Sequence, residues 1–196
     1  MSDTDAVEFT FVSGHLALDL AATLTWRSSY PIELLAGPRD LSAWIEQAGL
    51  AEVAGRIDDA DVERMRKLRE AVYRTASAGP LERQPRAGDL RFISRTAAGK
   101  QLTPVLEELG RAVWRGNVDQ VLATVAHQAC VLLGGSDYRR IRACTDTQCT
   151  RLFVDHSRSG SRRWCDKQSC GGRANAAAYR RRRAQPSPRS PHAPTP

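Results

Sequence analysis

Apolar residues recur every three or four positions along several stretches of the chain, a pattern typical of helices that bury one face. The clearest stretch runs from residue 58 to residue 78. Its apolar positions are Val62, Met65, Leu68, Val72 and Ala76. Similar patterns predict helices over about 14–25, 41–48, 89–98 and 118–133. Ser13, Asp40, Asp89 and Asn117 stand where N-caps are expected. Residues 8–136 are therefore predicted to form a mainly α-helical domain.

Residues 101–115 fit no single pattern. Their apolar positions are Val105, Leu106, Leu109, Val113 and Trp114. These side chains could lie along a helix or on two short strands around the Gly110 turn. Pro104 and Gly110 disfavour a continuous helix, since proline lacks the amide hydrogen and glycine loses backbone entropy. Periodicity alone leaves both alternatives open.

The segment from Arg139 to Ala184 has a pattern of apolar residues that differs from that of the helical domain. Alternating apolar residues predict short strands at 141–144 and 151–155, and an alanine-rich helix is predicted from about Cys170 to Arg183. The apolar residues available for a core are Ile141, Leu152, Phe153, Val154, Trp164 and Tyr179. A core this small needs additional stabilisation, such as a bound metal ion, in order to fold. Residues 185–196 are rich in proline, serine and arginine, and are predicted to be a disordered tail.

Charge divides the chain in the same place. Residues 1–138 hold 15 Lys and Arg against 19 Asp and Glu, a net charge of −4, whereas residues 139–196 hold 14 against 3, a net charge of +11. A basic C-terminal segment of this kind suggests a polyanionic partner. No apolar run approaches the length of a membrane span, and the acidic N-terminus does not resemble a signal peptide. We therefore expect a soluble cytoplasmic protein without a membrane partner.

Four of the five cysteines form two pairs of equal spacing. Cys144 and Cys149 have four residues between them, as do Cys165 and Cys170, and fifteen residues separate the pairs. Four thiolates can surround one zinc ion tetrahedrally, and this would leave no open position for a reactive water. The alternatives are two disulfides or four unrelated buried thiols, but nothing else in the sequence indicates an oxidising compartment. The spacing predicts one structural Zn²⁺. Cys130 is expected to be a small buried hydrophobe.

The residues around these cysteines resemble a known family, the CGNR zinc finger. The resemblance rests on the Cys-x4-Cys pair, the strand at 152–155, the Ser-Arg-x-x-Ser-Arg-Arg-Trp-Cys sequence at 157–165, and the sequence Cys-Gly-Gly-Arg at 170–173. Gly172 stands where the family has asparagine. Residues 14–19, 26–27 and 41–50 resemble the helical domain that accompanies this finger. The resemblance implies a stress-induced, DNA-binding transcription regulator of bacteria, and a short β-hairpin at 101–115.

Arginines cluster around the predicted metal site and on the last helix. The candidate nucleic-acid contacts are Arg158, Arg162, Arg163, Arg173, Arg180, Arg181, Arg182 and Arg183. Arginine binds phosphate through paired hydrogen bonds and can recognise a guanine edge. The competing interpretations are a merely solvated charged helix end, or binding to nucleic acid without sequence preference. Trp164 could stack on a base, but beside a zinc ligand it is more often part of the small core.

The helical domain offers little chemistry of its own. His15 and Asp19 are four residues apart and could act as a general-base pair, but no nucleophile, second histidine or phosphate loop accompanies them. We therefore do not expect an enzyme. His15, Asp19, Trp26 and Arg27 could instead surround the mouth of a pocket for a small-molecule effector. The alternative is a structural role for each.

Together these patterns predict a DNA-binding transcription regulator of the mainly α class. A small C-terminal four-cysteine zinc finger would contact DNA, and the helical domain would sense a ligand or form a homodimer. The alternative is a zinc-stabilised module that binds proteins, RNA or DNA without recognising a base sequence.

Overall fold

The computed structural model describes residues 7–184. Six α-helices span Leu16–Ala21 (α1), Pro38–Gln47 (α2), Asp59–Ala78 (α3), Ala87–Ala97 (α4), Val118–Gly134 (α5) and Gly172–Ala184 (α6). Seven short strands span Leu24–Thr25 (β1), Ile32–Glu33 (β2), Glu52–Val53 (β3), Thr103–Glu108 (β4), Arg111–Gly116 (β5), Ile141–Ala143 (β6) and Leu152–Val154 (β7). The predicted mainly α class is confirmed. The predicted disordered tail, residues 185–196, lies outside the described residues.

The main core lies where α1, α3 and α5 meet. Met65, Leu68 and Val72 of α3 pack with Val121 and Val125 of α5, all five without measurable exposure. Two of the helices begin with reciprocal caps: Asp58 exchanges hydrogen bonds with Asp61, and Asn117 does so with Gln120. Helix α3, whose period is the most regular in the sequence, is therefore the central helix of the domain.

Helix α1 is shorter than its apolar pattern predicts. It ends at Ala21, and the chain then turns into strand β1. The cap is His15, whose Nδ1 accepts a hydrogen bond from the amide of Ala17 at 3.3 Å. The predicted cap, Ser13, lies two residues before His15 and does not cap the helix; its amide donates to the Asp19 carboxylate at 2.9 Å. Continuous apolarity here reflects burial on most sides of the chain, and burial carries no information about where a helix stops.

Residues 101–115, for which the sequence allowed either a helix or two strands, form a β-hairpin. Strands β4 and β5 pair antiparallel, with Val105 opposite Val113, and β5 also pairs in parallel with β3. Gly110 forms the turn with φ of +85°, a conformation that favours glycine. The hairpin that the family resemblance implied is therefore present, at the edge of the helical domain.

The C-terminal segment shares a core with the helices. Successive side chains of strand β7 lie on opposite faces. Leu152 and Val154 face the helical domain, whereas Phe153 faces the four cysteines. Leu152 and Val154 pack with Leu18 of α1, and the same cluster includes Ala76, Leu132 and Ile141. The amide of Val154 also donates to the carbonyl of Ser13 at 2.8 Å. The apolar residues that looked like a separate small core are thus divided between two cores, and Tyr179 is 54% exposed.

This shared core predicts a large effect from Leu18→Ala. Leu18 is fully buried between the helices and β7, so the truncation leaves a cavity and should lower the free energy of unfolding by about 2–5 kcal/mol. Denaturant titration of the full chain measures it. The control is Leu90→Ala in α4, where the side chain is 42% exposed and the loss should stay below about 1 kcal/mol. Equal effects of the two substitutions would contradict the shared core.

Candidate metal centre and nucleic-acid interface

The four paired cysteines meet at one point. The sulfur atoms of Cys144, Cys149, Cys165 and Cys170 all lie within 4.8 Å of one another. The Cys149 and Cys165 sulfurs are 3.7 Å apart, and those of Cys165 and Cys170 are 3.6 Å apart. Zinc–sulfur bonds of about 2.3 Å require tetrahedral edges of about 3.8 Å. The sulfurs are therefore spaced as one zinc ion requires, and Cys130 in α5 lies outside this cluster.

An aspartate folds each of the two cysteine loops. In the first, the amide of Gln148 donates to the Asp146 carboxylate at 3.1 Å, and the amide of Cys149 donates to the Asp146 carbonyl at 2.9 Å. In the second, the amide of Ser169 donates to the Asp166 carboxylate at 2.6 Å and opens a single π-helical turn, Lys167–Gly171. Short side chains that bind nearby backbone amides are common in such turns. Thr145 joins the two loops by donating twice to the carbonyl of Arg163.

The environment of the sulfurs also suits a cation. Cys144, Cys165 and Cys170 are buried beside Phe153, with Trp164 packed against them. Burial raises the pKa of the Cys170 thiol to about 12, because a thiolate without a compensating positive charge is poorly solvated there. A divalent ion bound by four sulfurs supplies that charge and replaces apolar volume that this small core lacks. Its chemistry here is structural, since four protein ligands close the coordination sphere.

Two of the eight predicted arginine contacts are engaged within the protein. The Arg162 guanidinium donates to the carbonyls of Trp164, Cys165 and Val12, and lies over the Phe153 ring. It therefore joins the second cysteine loop to the N-terminal segment. The guanidinium of Arg173 donates to the Asp146 carboxylate at 2.9 Å and to the Cys170 sulfur at 3.0 Å. A cation there offsets the negative charge of a thiolate ligand.

The other six arginines are on the surface. They are Arg158, Arg163, Arg180, Arg181, Arg182 and Arg183, all exposed and without an ion pair among residues 7–184. None of the three acidic side chains of the segment forms an ion pair with these six arginines. Asp146 binds Arg173, Asp155 accepts from the amides of Ser157 and Arg162, and Asp166 accepts from Ser169. The segment therefore presents a surface of unpaired positive charge.

Helix α6 carries most of that charge and contributes little to the core. No residue from Gly172 to Arg183 is buried, and Ala174, Ala177 and Ala178 are only partly covered. The helix contains no acidic residue, and its last turn holds Arg181, Arg182 and Arg183. Cations at the C-terminal end of a helix are favoured by its dipole, and alanine is the best helix former. These two local effects stabilise a helix that tertiary packing leaves exposed.

The four residues predicted around one pocket have different surroundings. The Asp19 carboxylate is buried and accepts the amide of Ser13, and burial raises its pKa. Arg27 pairs with Glu70 at 2.7 Å and lies 3.9 Å above the Tyr73 ring. His15 caps α1. Trp26 alone of the four lines a cleft of about 400 Å³ between the helical domain and the cysteine loops. Its φ of +55° is an uncommon backbone conformation for so bulky a residue.

The His15 cap predicts a pH-dependent stability. Burial lowers the pKa of His15 from 6.5, so the unfolded chain takes up a proton at a higher pH than the folded chain. Stability from this group is thus present above pH 6.5 and is lost as pH falls through the lower folded value. His15→Asn keeps a good cap that does not titrate. Between pH 7 and 5 the wild type should lose stability relative to this variant, measured by urea unfolding at each pH. Parallel pH profiles would contradict the cap.

Comparison with known families matches both parts of the chain. A family model named ABATE, whose description is "Putative stress-induced transcription regulator", matches residues 14–136. The chain belongs to the ABATE family. A second model, the CGNR zinc finger, matches residues 140–183. No curated protein matches the chain. The predicted family architecture is confirmed, and so is the predicted cofactor class, since an ABATE protein with this finger brings together four cysteines that could hold one zinc ion.

Two further predictions concern the class of protein and its relation to membranes. Both matched families are regulatory or zinc-finger types. None of the helices within residues 7–184 combines the length and apolarity needed to cross a bilayer.

Sequence reasoning missed three residues that hold the site together: Asp146, Asp166 and Thr150. The Thr150 hydroxyl accepts the amide of Arg27 at 3.2 Å. The first two carry a local signal, an aspartate one or two residues after a cysteine at the start of a turn. Thr150 carries none, because its partner is remote in sequence.

Proposed function

We propose that this ABATE protein is a DNA-binding transcription regulator whose zinc finger contacts DNA through its exposed arginines. The observation that carries the proposal is the separation of the arginines into two groups. Arg162 and Arg173 hold the finger together through internal hydrogen bonds, whereas the six others are exposed and form no ion pair with any described residue, the segment's three carboxylates included. Unpaired guanidinium groups on a rigid support bind phosphates without first breaking internal ion pairs.

Docking of the finger favours a regulator over an independent binding module. Strand β7 is buried against Leu18, Ala76 and Leu132, so the finger is held by the helical domain rather than tethered to it. A change in the helical domain would therefore alter the position of the arginines. This arrangement is what coupling between a regulatory domain and DNA contact requires.

Selection of bound duplexes from a random pool tests this proposal. Zinc-loaded full-length protein should enrich one sequence and bind it at least a thousandfold more tightly than unselected DNA at the same salt concentration. Fluorescence anisotropy at several salt concentrations separates the contribution of phosphate contacts to affinity from that of base contacts. Binding through phosphates weakens linearly with log[salt], whereas binding through bases does not. Equal affinity for every duplex would rule out sequence-specific regulation.

A second candidate is binding to RNA or DNA without sequence preference. The run from Arg180 to Arg183 favours it, because consecutive arginines surround the helix and suit phosphate contact from several directions. This candidate predicts a steep salt dependence that is the same for selected and unselected nucleic acids. The selection experiment therefore separates the two.

The cleft beside Trp26 is our proposed effector site. It is lined by residues of both parts, including Thr25 and Trp26 on one side and Thr150, Arg151 and Gln168 on the other. A ligand bound there would contact the helical domain and the finger together. A small molecule that raises the melting temperature of the wild type should lose its effect with Trp26→Gly, a change that relieves the left-handed backbone. Retained stabilisation would place the effector elsewhere.

The β4–β5 hairpin is our proposed dimerisation surface. Every residue of β4 is exposed, and Leu106 and Leu109 are 68% and 96% exposed. Exposed apolar residues grouped on one hairpin are typical of an interface. Sedimentation equilibrium should give a dimer that Leu106→Glu with Leu109→Glu converts to a monomer. A wild type that stays monomeric at all concentrations would exclude this role.

A further inference from the structure

The π-helical turn and α6 form one helical segment with two different faces. The covered face carries Cys170, which is buried, and then Ala174, Ala177 and Ala178, which are partly covered. The opposite face carries Asn175, Tyr179 and Arg183, spaced four residues apart and all exposed. The metal-side end is thus anchored by a cysteine, while the outer face along thirteen residues, about 20 Å, is accessible.

Asn175 stands out on this outer face. It is the one amide side chain of α6, and it makes no hydrogen bond among residues 7–184. Its neighbours three and four residues away on α6 are Gly172, Ala178 and Tyr179. Gly172 has no side chain, so the end of α6 nearest the cysteines leaves Asn175 open to the edge of a base pair, while Tyr179 flanks Asn175 on the other side.

The surroundings of Asn175 match a nucleic acid. It lines a groove of about 750 Å³ that also contains Arg163, Lys167 and Gln168. Arg163 and Lys167 are exposed and make no ion pair among the described residues, so both can bind phosphates. The one acidic side chain in the groove, Asp166, accepts the amide of Ser169 and keeps its charge, but Arg163 and Lys167 outnumber it. Positive charge thus lies beside an unpartnered amide.

We infer that α6 enters the major groove and that Asn175 recognises an adenine there. This inference rests on the proposed function and adds to it the residue that determines specificity. The asparagine amide offers one donor and one acceptor, which fit N7 and the N6 amino group of adenine. Arg163, Lys167 and the terminal arginines contact the flanking phosphates and set the register of the helix.

The test compares the wild type with Asn175→Ala in two measurements. First, each zinc-loaded full-length protein selects duplexes from a random pool. Second, the affinity of each is measured for the wild-type selected duplex and for an unselected one at the same salt concentration. The substitution cannot act by unfolding α6, because alanine favours helix more than asparagine does. The matched control is Gln84→Ala, which removes an exposed amide in the loop between α3 and α4.

We expect Asn175→Ala to bind the selected duplex about 10- to 100-fold more weakly and unselected DNA within about twofold of the wild type. Its own selection should lose the preference for adenine at one position. Asn175→Asp should shift that position toward cytosine, whose N4 amino group donates to a carboxylate. Gln84→Ala should change none of these values.

The outcomes separate the inference from the proposed function. If wild type and Asn175→Ala enrich the same sequence with the same affinity, Asn175 does not recognise a base, while DNA regulation by the finger still holds. If Asn175→Ala weakens both duplexes equally, Asn175 contributes general affinity and the inference is also wrong. If the wild type enriches no sequence, the proposed function and this inference both fail.

Discussion

Cys165→Ser should remove the zinc ion and unfold the finger. Cys165 is buried within the sulfur cluster, with the Cys149 and Cys170 sulfurs at 3.7 and 3.6 Å. A serine hydroxyl is a poor zinc ligand, and three thiolates beside it leave buried negative charge that the ion no longer neutralises. After dialysis, metal analysis should give close to one zinc per chain for the wild type and close to none for the variant.

The loss should extend beyond the finger. Once β7 leaves its place, Leu18, Ala76 and Leu132 are exposed to solvent, so the free energy of unfolding of the whole chain should fall by about 4 kcal/mol or more. Cys130→Ser is the matched control, because Cys130 is a partly buried cysteine of α5 outside the cluster. It should keep one zinc per chain. Full zinc content in Cys165→Ser would show that the ion does not depend on the Cys165 sulfur.

Replacing Arg180, Arg181, Arg182 and Arg183 by glutamine should lower DNA affinity on the order of a hundredfold near 0.1 M salt. These arginines are exposed, without ion pairs, on a helix that lacks acidic residues. Four consecutive positions cover most of the circumference of a helix, so not all can meet one duplex. The slope of log affinity against log[salt] should therefore become shallower by about two to three. Glutamine preserves helix propensity, so circular dichroism should change little.

The control for this prediction removes equal charge from the helical domain. Arg86, Arg91, Arg95 and Lys100 are exposed and make no ion pair among the described residues. Their replacement by glutamine should change the DNA affinity by less than about fivefold, since only long-range attraction is lost. If both quadruple variants weaken binding equally, net charge rather than the finger surface determines the affinity.

The zinc site shows what sequence spacing can predict. The two Cys-x4-Cys pairs predict a four-sulfur cluster, because each short loop returns its second cysteine near its first. The alternation in residues 152–154 likewise predicts a strand with two faces. Neither pattern says what the faces touch. Leu152 and Val154 looked like the core of a separate finger, but they pack on Leu18, which precedes Leu152 by more than 130 residues.

The arginines show a different limit. Sequence proximity to the cysteines placed Arg162 and Arg173 with the other candidate contacts. Their engagement with Val12 and with Asp146 depends on tertiary geometry that residue type does not carry. The same holds for His15, Asp19 and Arg27, whose residue types suggested a pocket but whose partners are a helix amide, the Ser13 amide and Glu70. Charged and polar residues have too many equivalent partners for sequence alone to choose among them.

We propose that one zinc ion shapes the surface through which the finger contacts DNA. The most direct test is a zinc titration of reduced, chelator-stripped full-length protein in the presence of a labelled selected duplex, followed by fluorescence anisotropy. We expect DNA binding to be weakened at least a hundredfold without zinc and to recover with a break at one zinc per chain. Metal-free protein that binds the same duplex as tightly as the zinc-loaded form would contradict the account.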